Sequence, residues 1–215
     1  MAGPTGNESN HMLDGLTVRG GLALEGTGGV QTYINRDVAA NGARKMACMR
    51  GMGYWAETCD RQTAVSSAAL TSQLVTFSAV GLLAGDVVTN LTVGVGVAGV
   101  SVTMAKIAIY SKTGTLLAST ANLTTTFEST GVKTAAVTTP YTVLTDDLYY
   151  AAVLAVTAST IPNLRSGHTA TSTGTMAAVG SGVMMCGAMA AQSDMPASAT
   201  IATNNSATFV WVAVS

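Results

Sequence analysis

The sequence predicts a mainly β protein, an antiparallel β-sandwich preceded by an extended N-terminal arm with short β segments. Apolar residues alternate with small or polar ones along many short segments, and turn signals separate these segments. After residue 68, no amphipathic pattern of ten or more residues indicates a helix. Hydrophobic residues make up 48% of the chain and aromatic residues only 5%, so the apolar side chains are mainly those of Ala, Val, Met and Leu.

Charged residues are scarce, at 10% of the chain against roughly 25% in typical soluble domains. The formal net charge of -1 gives no general attraction to nucleic acid or to acidic membranes. We therefore expect no nucleic-acid partner. Solubility then depends on Thr, Ser, Gly and Asn, and on burial of surface against copies of the chain or another protein.

The charges divide the chain into two regions. Six of the ten basic and six of the eleven acidic residues lie in residues 1–61. We interpret residues 1–61 as an N-terminal arm that anchors and trimerises the protein, and residues 68–215 as a β-sandwich domain that projects outward. Candidate anchor contacts are the basic residues Arg19, Arg36, Arg44, Lys45 and Arg50.

The first region begins with a polar arm of residues 1–12, followed by two short alternating segments, Leu16–Val18 and Leu22–Leu24. Segments this short do not bury their own apolar face, so we expect them to pack against copies from other chains. Residues 31–50 have an ambiguous pattern. A loop then carries the aromatic pair Tyr54-Trp55.

The second region is predicted to contain one strand after another. These are Leu74–Val80, Val87–Val97, Val100–Tyr110, Leu116–Thr120, Lys133–Thr139, Tyr141–Leu144, Leu148–Val156 and Ala207–Val214. The uncharged stretch 87–105 has a strand period, so we expect no membrane insertion. Proline lacks the N–H that a central strand donates, so Pro140 is expected at a strand end.

Residues 166–206 are interpreted as a long polar, Met-rich insertion with a role in function or in an interface. Its methionines either contact a partner or fill the β core: Met176, Met184, Met185, Met189 and Met195. The three cysteines, Cys48, Cys59 and Cys186, are expected to be reduced thiols of a cytoplasmic protein, and the alternative is a disulfide between Cys48 and Cys59.

The sequence predicts no enzyme, no cofactor and no metal site. His11 and His168 lie far apart, and Asp146-Asp147 are adjacent acids in a predicted turn. The G-x-G-x-x-G match at residues 94–99 is followed by a strand, whereas a dinucleotide site needs a helix there.

Exposed aromatic rings serve as sugar platforms on many β-sandwiches, so the candidate glycan or partner contacts are Tyr54, Trp55 and Tyr150. For each ring the alternative is packing within the fold. In Tyr149-Tyr150, strand alternation predicts one ring inside and the other outside. Phe209 and Trp211 share a strand face, which we expect to belong to the core.

Part of the second region resembles a known module. The segments are AGDVVTNL at 84–91, AIYSKTGTLLAST at 108–120, PYTV at 140–143 and LYYAAV at 148–153. They resemble the β-sandwich module that recurs in structural proteins of tailed bacteriophages, especially those of actinobacterial hosts. GLTVRGGL at 15–22 is similar to the intertwined β segments of trimeric phage fibres. The resemblance covers about half of the chain.

This resemblance implies a jelly-roll-like sandwich in a non-enzymatic virion protein. The implied protein is a homotrimer that binds the major capsid protein or another virion protein, as a capsid decoration or head fibre. It is assembled in the host cytoplasm and exposed on the particle surface. The alternative is a tail-fibre or tail-tip adhesin that binds host surface polysaccharide. No catalytic residue carries over.

Overall fold

A computed structural model describes residues 53–61, 64, 66–167, 178–179, 183–201 and 209–215, all within the unit Met46–Ser215. One short helix, α1 (Thr124–Phe127), accompanies the strands of this described part. The strands are β1 (Ala56–Glu57), β2 (Ser66–Ala69), β3 (Val75–Leu82), β4 (Val87–Val97), β5 (Val100–Tyr110), β6 (Leu116–Ser119), β7 (Gly131–Thr142), β8 (Asp147–Thr160), β9 (Asn163–Ser166), β10 (Ala178–Val179), β11 (Val183–Met184), β12 (Cys186–Met189) and β13 (Val212–Val214).

The strands form two large antiparallel sheets, and β10 pairs separately with β11. In the first sheet the order is β1, β13, β4, β9 and β2, and β7 pairs with β4 as well. In the second sheet the order is β12, β3, β8, β5 and β6. The predicted antiparallel β-sandwich is confirmed, and β4 and β5 have the predicted bounds.

The main core lies between the two sheets. Leu91 and Val93 from the first sheet and Ile107 and Val153 from the second are fully buried in one cluster. Leu91 and Val93 occupy alternate positions on β4, as the period of two requires. Phe127 of α1 joins this cluster and is also fully buried. Its carbonyl oxygen accepts the Gly99 N–H, so the short helix closes the core beside the β4–β5 turn.

The second sheet is buried on its outer face as well. Residues 194–201, which we call the covering segment, lie over Phe77, Tyr110 and Leu154 through the side chains of Met195, Ala199 and Ile201. The Tyr110 hydroxyl donates to the Pro196 carbonyl oxygen at 2.7 Å, and the Ala199 N–H donates to the Gly114 carbonyl oxygen at 2.8 Å. The structure thus has three layers where the sequence predicted two.

The described part of the predicted insertion 166–206 is therefore structural. It contains β12, which extends the second sheet beside β3, and the covering segment. Met195 is buried and Met189 packs against the same cluster, whereas Met185 is exposed. Met176 lies outside the described residues, as does the side chain of Met184.

The expectation that Pro140 ends a strand is wrong. The two predicted strands Lys133–Thr139 and Tyr141–Leu144 form one strand, β7, which contains Pro140. The ladder with β4 skips from Val88↔Tyr141 to Asn90↔Ala136, so residues 137–140 bulge out of register. A bulge tolerates proline because the missing N–H leaves no hydrogen bond of the ladder unmade.

Candidate partner-binding surface

Residues 55–58 fasten the beginning of the described chain to the sandwich. Trp55 donates its N–H to the Val214 carbonyl oxygen at 2.7 Å, and Thr58 donates its N–H to the Val212 carbonyl oxygen at 2.9 Å. The Thr58 hydroxyl also donates to the Val210 carbonyl oxygen at 2.8 Å. The last residues of the charge-rich region 1–61 are therefore part of the first sheet.

Four side chains secure this attachment, and we call them the aromatic–guanidinium cluster: Tyr54, Glu57, Arg61 and Trp211. The Tyr54 and Trp211 rings meet edge to face, with their centroids 6.4 Å apart. The Arg61 guanidinium carbon lies 5.4 Å from the Tyr54 ring centre and 5.8 Å from that of Trp211, within cation–π distance of both rings. The Trp211 indole N–H donates to the Glu57 carboxylate at 3.0 Å.

The predicted contact residues Tyr54, Trp55 and Tyr150 have different surroundings. Tyr54 is half-buried in the cluster, and Trp55 beside it is 48% exposed. Tyr150 is 3% exposed beneath the covering segment, so the prediction that it contacts a glycan or partner is wrong. Tyr149 and Tyr150 do lie on opposite faces of β8, but both faces of the second sheet are covered.

Two turns meet at one end of the sandwich. Gly85 donates its N–H to the Val143 carbonyl oxygen at 2.9 Å, and Val143 donates its N–H to the Asp86 carbonyl oxygen at 2.8 Å. The Asp146 carboxylate accepts the Ala84 N–H at 2.6 Å and links the same turns. These bonds hold residues 83–86 and 143–146 as one surface.

This surface is unusually apolar for a pair of turns. Leu83 is 58% exposed, Leu144 is 76% exposed, and Val87 at the start of β4 is 39% exposed. Trp55 lies apart from these turns, level with Asn90 and two strands away from β4, because Ala56 pairs with Val214 and the next residue, Ser215, accepts the Asn90 N–H. We call Leu83, Val87 and Leu144 the proximal end.

The opposite end of the sandwich, the distal end, exposes three valines. Val97 and Val100 flank the β4–β5 turn, and Val132 lies at the start of β7, paired with Gly94. Their exposed fractions are 46%, 52% and 61%. Apart from Trp55 and Met185, every exposed large hydrophobic residue of the described structure belongs to one of the two ends.

Several titratable side chains of the described structure have structural partners or are buried. Asp147 pairs with Lys112 at 3.3 Å, and the Leu148 N–H and the Lys112 ammonium hold the pKa of this carboxyl below its usual value. Burial opposes ionisation of Asp194, but bonds from Lys106 and the Met195 N–H lower its pKa overall. Burial raises the pKa of the Cys59 and Cys186 thiols.

Groups of acids, histidines and cysteines that would hold a metal ion are absent from the described residues. The helix of the described structure is too short to cross a bilayer. The predicted anchor residues Arg19, Arg36, Arg44, Lys45 and Arg50 lie outside the described residues. No family model matches the chain, and no curated protein sequence matches it significantly.

Sequence reasoning missed Leu83 and Leu144. Each leucine stands next to a turn rich in Gly, Asp or Thr, where a polar residue is usual. An apolar residue beside a turn signal is the available clue, but the pattern assigns Leu144 to the end of a strand and Leu83 to no element. Only the pairing of the two turns shows that they share one surface.

Proposed function

We propose that the chain is a non-enzymatic structural protein of a tailed-bacteriophage virion. In this proposal it is a homotrimeric capsid-decoration or head-fibre protein, assembled in the host cytoplasm and exposed on the particle. Residues 1–61 attach it to the major capsid protein or another virion protein. The sandwich projects outward.

The observation that carries this proposal is the attachment of the charge-rich region to a weakly charged sandwich. Strand β1 and the aromatic–guanidinium cluster fix the end of that region to β13 through both backbone and side-chain contacts. A domain that fastens the last residues of the preceding region to its own sheet suits a protein repeated over a particle surface. The two described cysteines, Cys59 and Cys186, are thiols rather than halves of a disulfide, in keeping with assembly in a reducing compartment.

Neutralising two basic anchor residues, Arg44→Gln and Lys45→Gln, is expected to weaken binding to virus shells that lack the protein by about tenfold or more. Charge-assisted contacts to a partner are lost, while the sandwich is untouched. Co-sedimentation with such shells measures the effect. The matched control carries Lys112→Gln and Lys133→Gln, which remove the same charge from the sandwich, and its binding should be unchanged. Equal losses in the two variants would contradict an anchor in residues 1–61.

A second candidate function is that of a tail-fibre or tail-tip adhesin, and the 48% exposed Trp55 ring favours it. Stacking on a sugar needs such an open aromatic face. If this candidate holds, the full chain binds host surface polysaccharide on a glycan array, Trp55→Ala abolishes binding and Trp55→Phe retains part of it. An array without signal for the unchanged protein would eliminate this candidate.

A further inference from the structure

Strand β5 has an edge that β6 covers only in part. On one side, β8 pairs with β5 from Val100 to Tyr110, whereas on the other side β6 pairs only from Ala108 to Tyr110. Within the described structure, residues 102–107 of β5 therefore have a strand partner on one side alone. The N–H and C=O groups of such an edge are a template on which an extended segment of another chain can pair.

We infer that residues 120–128, which lie along this edge and which we call the edge plug, prevent a strand of a second copy from pairing with β5. The inference goes beyond the proposed function and does not depend on a trimer. It assigns a protective role to a segment that consists of a loop and the short helix α1.

The centre of the β5 edge is held by Asn122 and Thr120. The Ala105 N–H donates to the Asn122 amide oxygen at 2.9 Å. The Ile107 N–H donates to the Thr120 hydroxyl at 3.1 Å, and the Ile107 carbonyl oxygen accepts the Thr120 N–H at 2.9 Å. Side-chain oxygens thus take the two donors that a neighbouring strand would receive through its carbonyl oxygens. Because each N–H group is a single donor, a further strand cannot use them while the edge plug is in place.

The rest of the edge plug is fastened along the same strand. The Glu128 carboxylate accepts the Val102 N–H at 3.0 Å, near the start of β5. The Leu123 N–H donates to the Ala105 carbonyl oxygen at 2.7 Å. Phe127, which follows in α1, is fully buried in the main core. This buried ring makes the edge plug part of the fold, so it does not leave the β5 edge as an unattached loop would.

The edge plug also contacts the first sheet. Thr120 forms an isolated bridge with Val137 of β7. Next to it, the Thr138 hydroxyl donates to the Ser119 carbonyl oxygen at 3.0 Å. A strand that approached the β5 edge would therefore have to break contacts to both sheets.

The scarcity of charge gives such protection its importance. Natural sheets commonly guard their edges with charged side chains, and this chain has only 10% charged residues. Residues 102–107 contain one charge, that of Lys106, and its ammonium group is paired with Asp194 in the covering segment. Hydrogen bonds from the edge plug thus do what charge repulsion does on other edge strands.

Removing two acceptors of the edge plug tests the inference in the full chain. Asn122→Ala with Glu128→Ala takes the side-chain acceptors away from the Ala105 and Val102 N–H groups. We expect thioflavin-positive assemblies, larger than the unchanged protein, to form at least tenfold faster at equal concentration. Fluorescence and sedimentation velocity measure this. The matched control, Asn122→Asp with Glu128→Gln, keeps an oxygen at both positions and loses only the 3.3 Å bond from the Asn122 amide to the Thr103 carbonyl oxygen, so it should behave as the unchanged protein.

Hydrogen exchange separates strand pairing from unspecific aggregation. Amides of residues 102–107 should exchange faster in the unassembled double-alanine variant than in the unchanged protein, and should regain protection in its assemblies, where another copy supplies the acceptors. Assemblies without that protection, or a double-alanine variant that stays as unassembled as its control, would overturn the inference. If circular dichroism shows that this variant does not fold, Asn122→Ala is compared with Asn122→Asp in the same measurements.

Loss of stability by itself can also promote assembly, so Gly85→Ala is a further control. It strains a turn in which Gly85 has φ +93°, without freeing a strand edge. We expect no more assembly from Gly85→Ala than from the unchanged protein. If it assembles as fast as the double-alanine variant, general destabilisation is the cause and the edge plug has no protective role.

Discussion

Replacing Gly114 with alanine is expected to destabilise the protein by about 2–5 kcal/mol. Gly114 has φ +87° in the turn between β5 and β6, a backbone conformation that costs a residue with a Cβ about 1–2 kcal/mol. A Cβ there would also collide with the backbone carbonyl of Ala199 in the covering segment. Backbone cannot move aside as a flexible side chain can, so the covering segment must shift.

Gly85 provides the matched control for this prediction. It has φ +93°, yet a Cβ at this position meets no atom within 4 Å. Gly85→Ala therefore has the conformational cost alone, about 1–2 kcal/mol. Urea denaturation compares the two free energies of unfolding, and binding of a hydrophobic dye reports exposure of the face beneath the covering segment. Equal losses of stability, with no increase in dye binding for Gly114→Ala, would show that the contact between residues 114 and 199 contributes nothing.

The strands with a strict period were predictable from the sequence. Val87–Val97 and Val100–Tyr110 are long, they alternate, and Gly99 separates them, so their bounds depend on local chemistry alone. Pro140 could not be placed in the same way. Its position within β7 depends on a bulge that exists only because β4 lies alongside. The four-residue strands β2 and β9 were missed, since they are defined by pairing with each other rather than by a pattern.

The candidate surface was less predictable than the fold. Trp55 and Tyr54 are neighbours in sequence, but only the contact of Tyr54 with Trp211 decides which of the two rings stays exposed. Tyr150 was expected to be accessible because alternation predicts that one face of a strand points outward. That reasoning overlooked residues 194–201, whose place over the second sheet is set by distant contacts such as Lys106 with Asp194.

The third layer leads to the other prediction with a large effect. Val153 and Leu154 are adjacent on β8, and both are fully buried, one between the sheets and the other beneath the covering segment. We expect Val153→Asp and Leu154→Asp each to abolish the folded state at 25 °C. An unpaired carboxylate in either place has a desolvation cost of several kcal/mol, a large share of the roughly 5–15 kcal/mol that stabilises a domain.

Leu144→Asp is the control, because Leu144 is 76% exposed and its replacement leaves the fold of the chain intact. Circular dichroism and the solubility of the three variants measure the outcome. A two-layer sandwich with an open outer face would tolerate Leu154→Asp about as well as Leu144→Asp and would unfold only with Val153→Asp. A folded, soluble Leu154→Asp variant would therefore contradict the third layer. Loss of folding in both core variants would place two adjacent residues of one strand in two separate cores, an arrangement that the period of two alone does not predict.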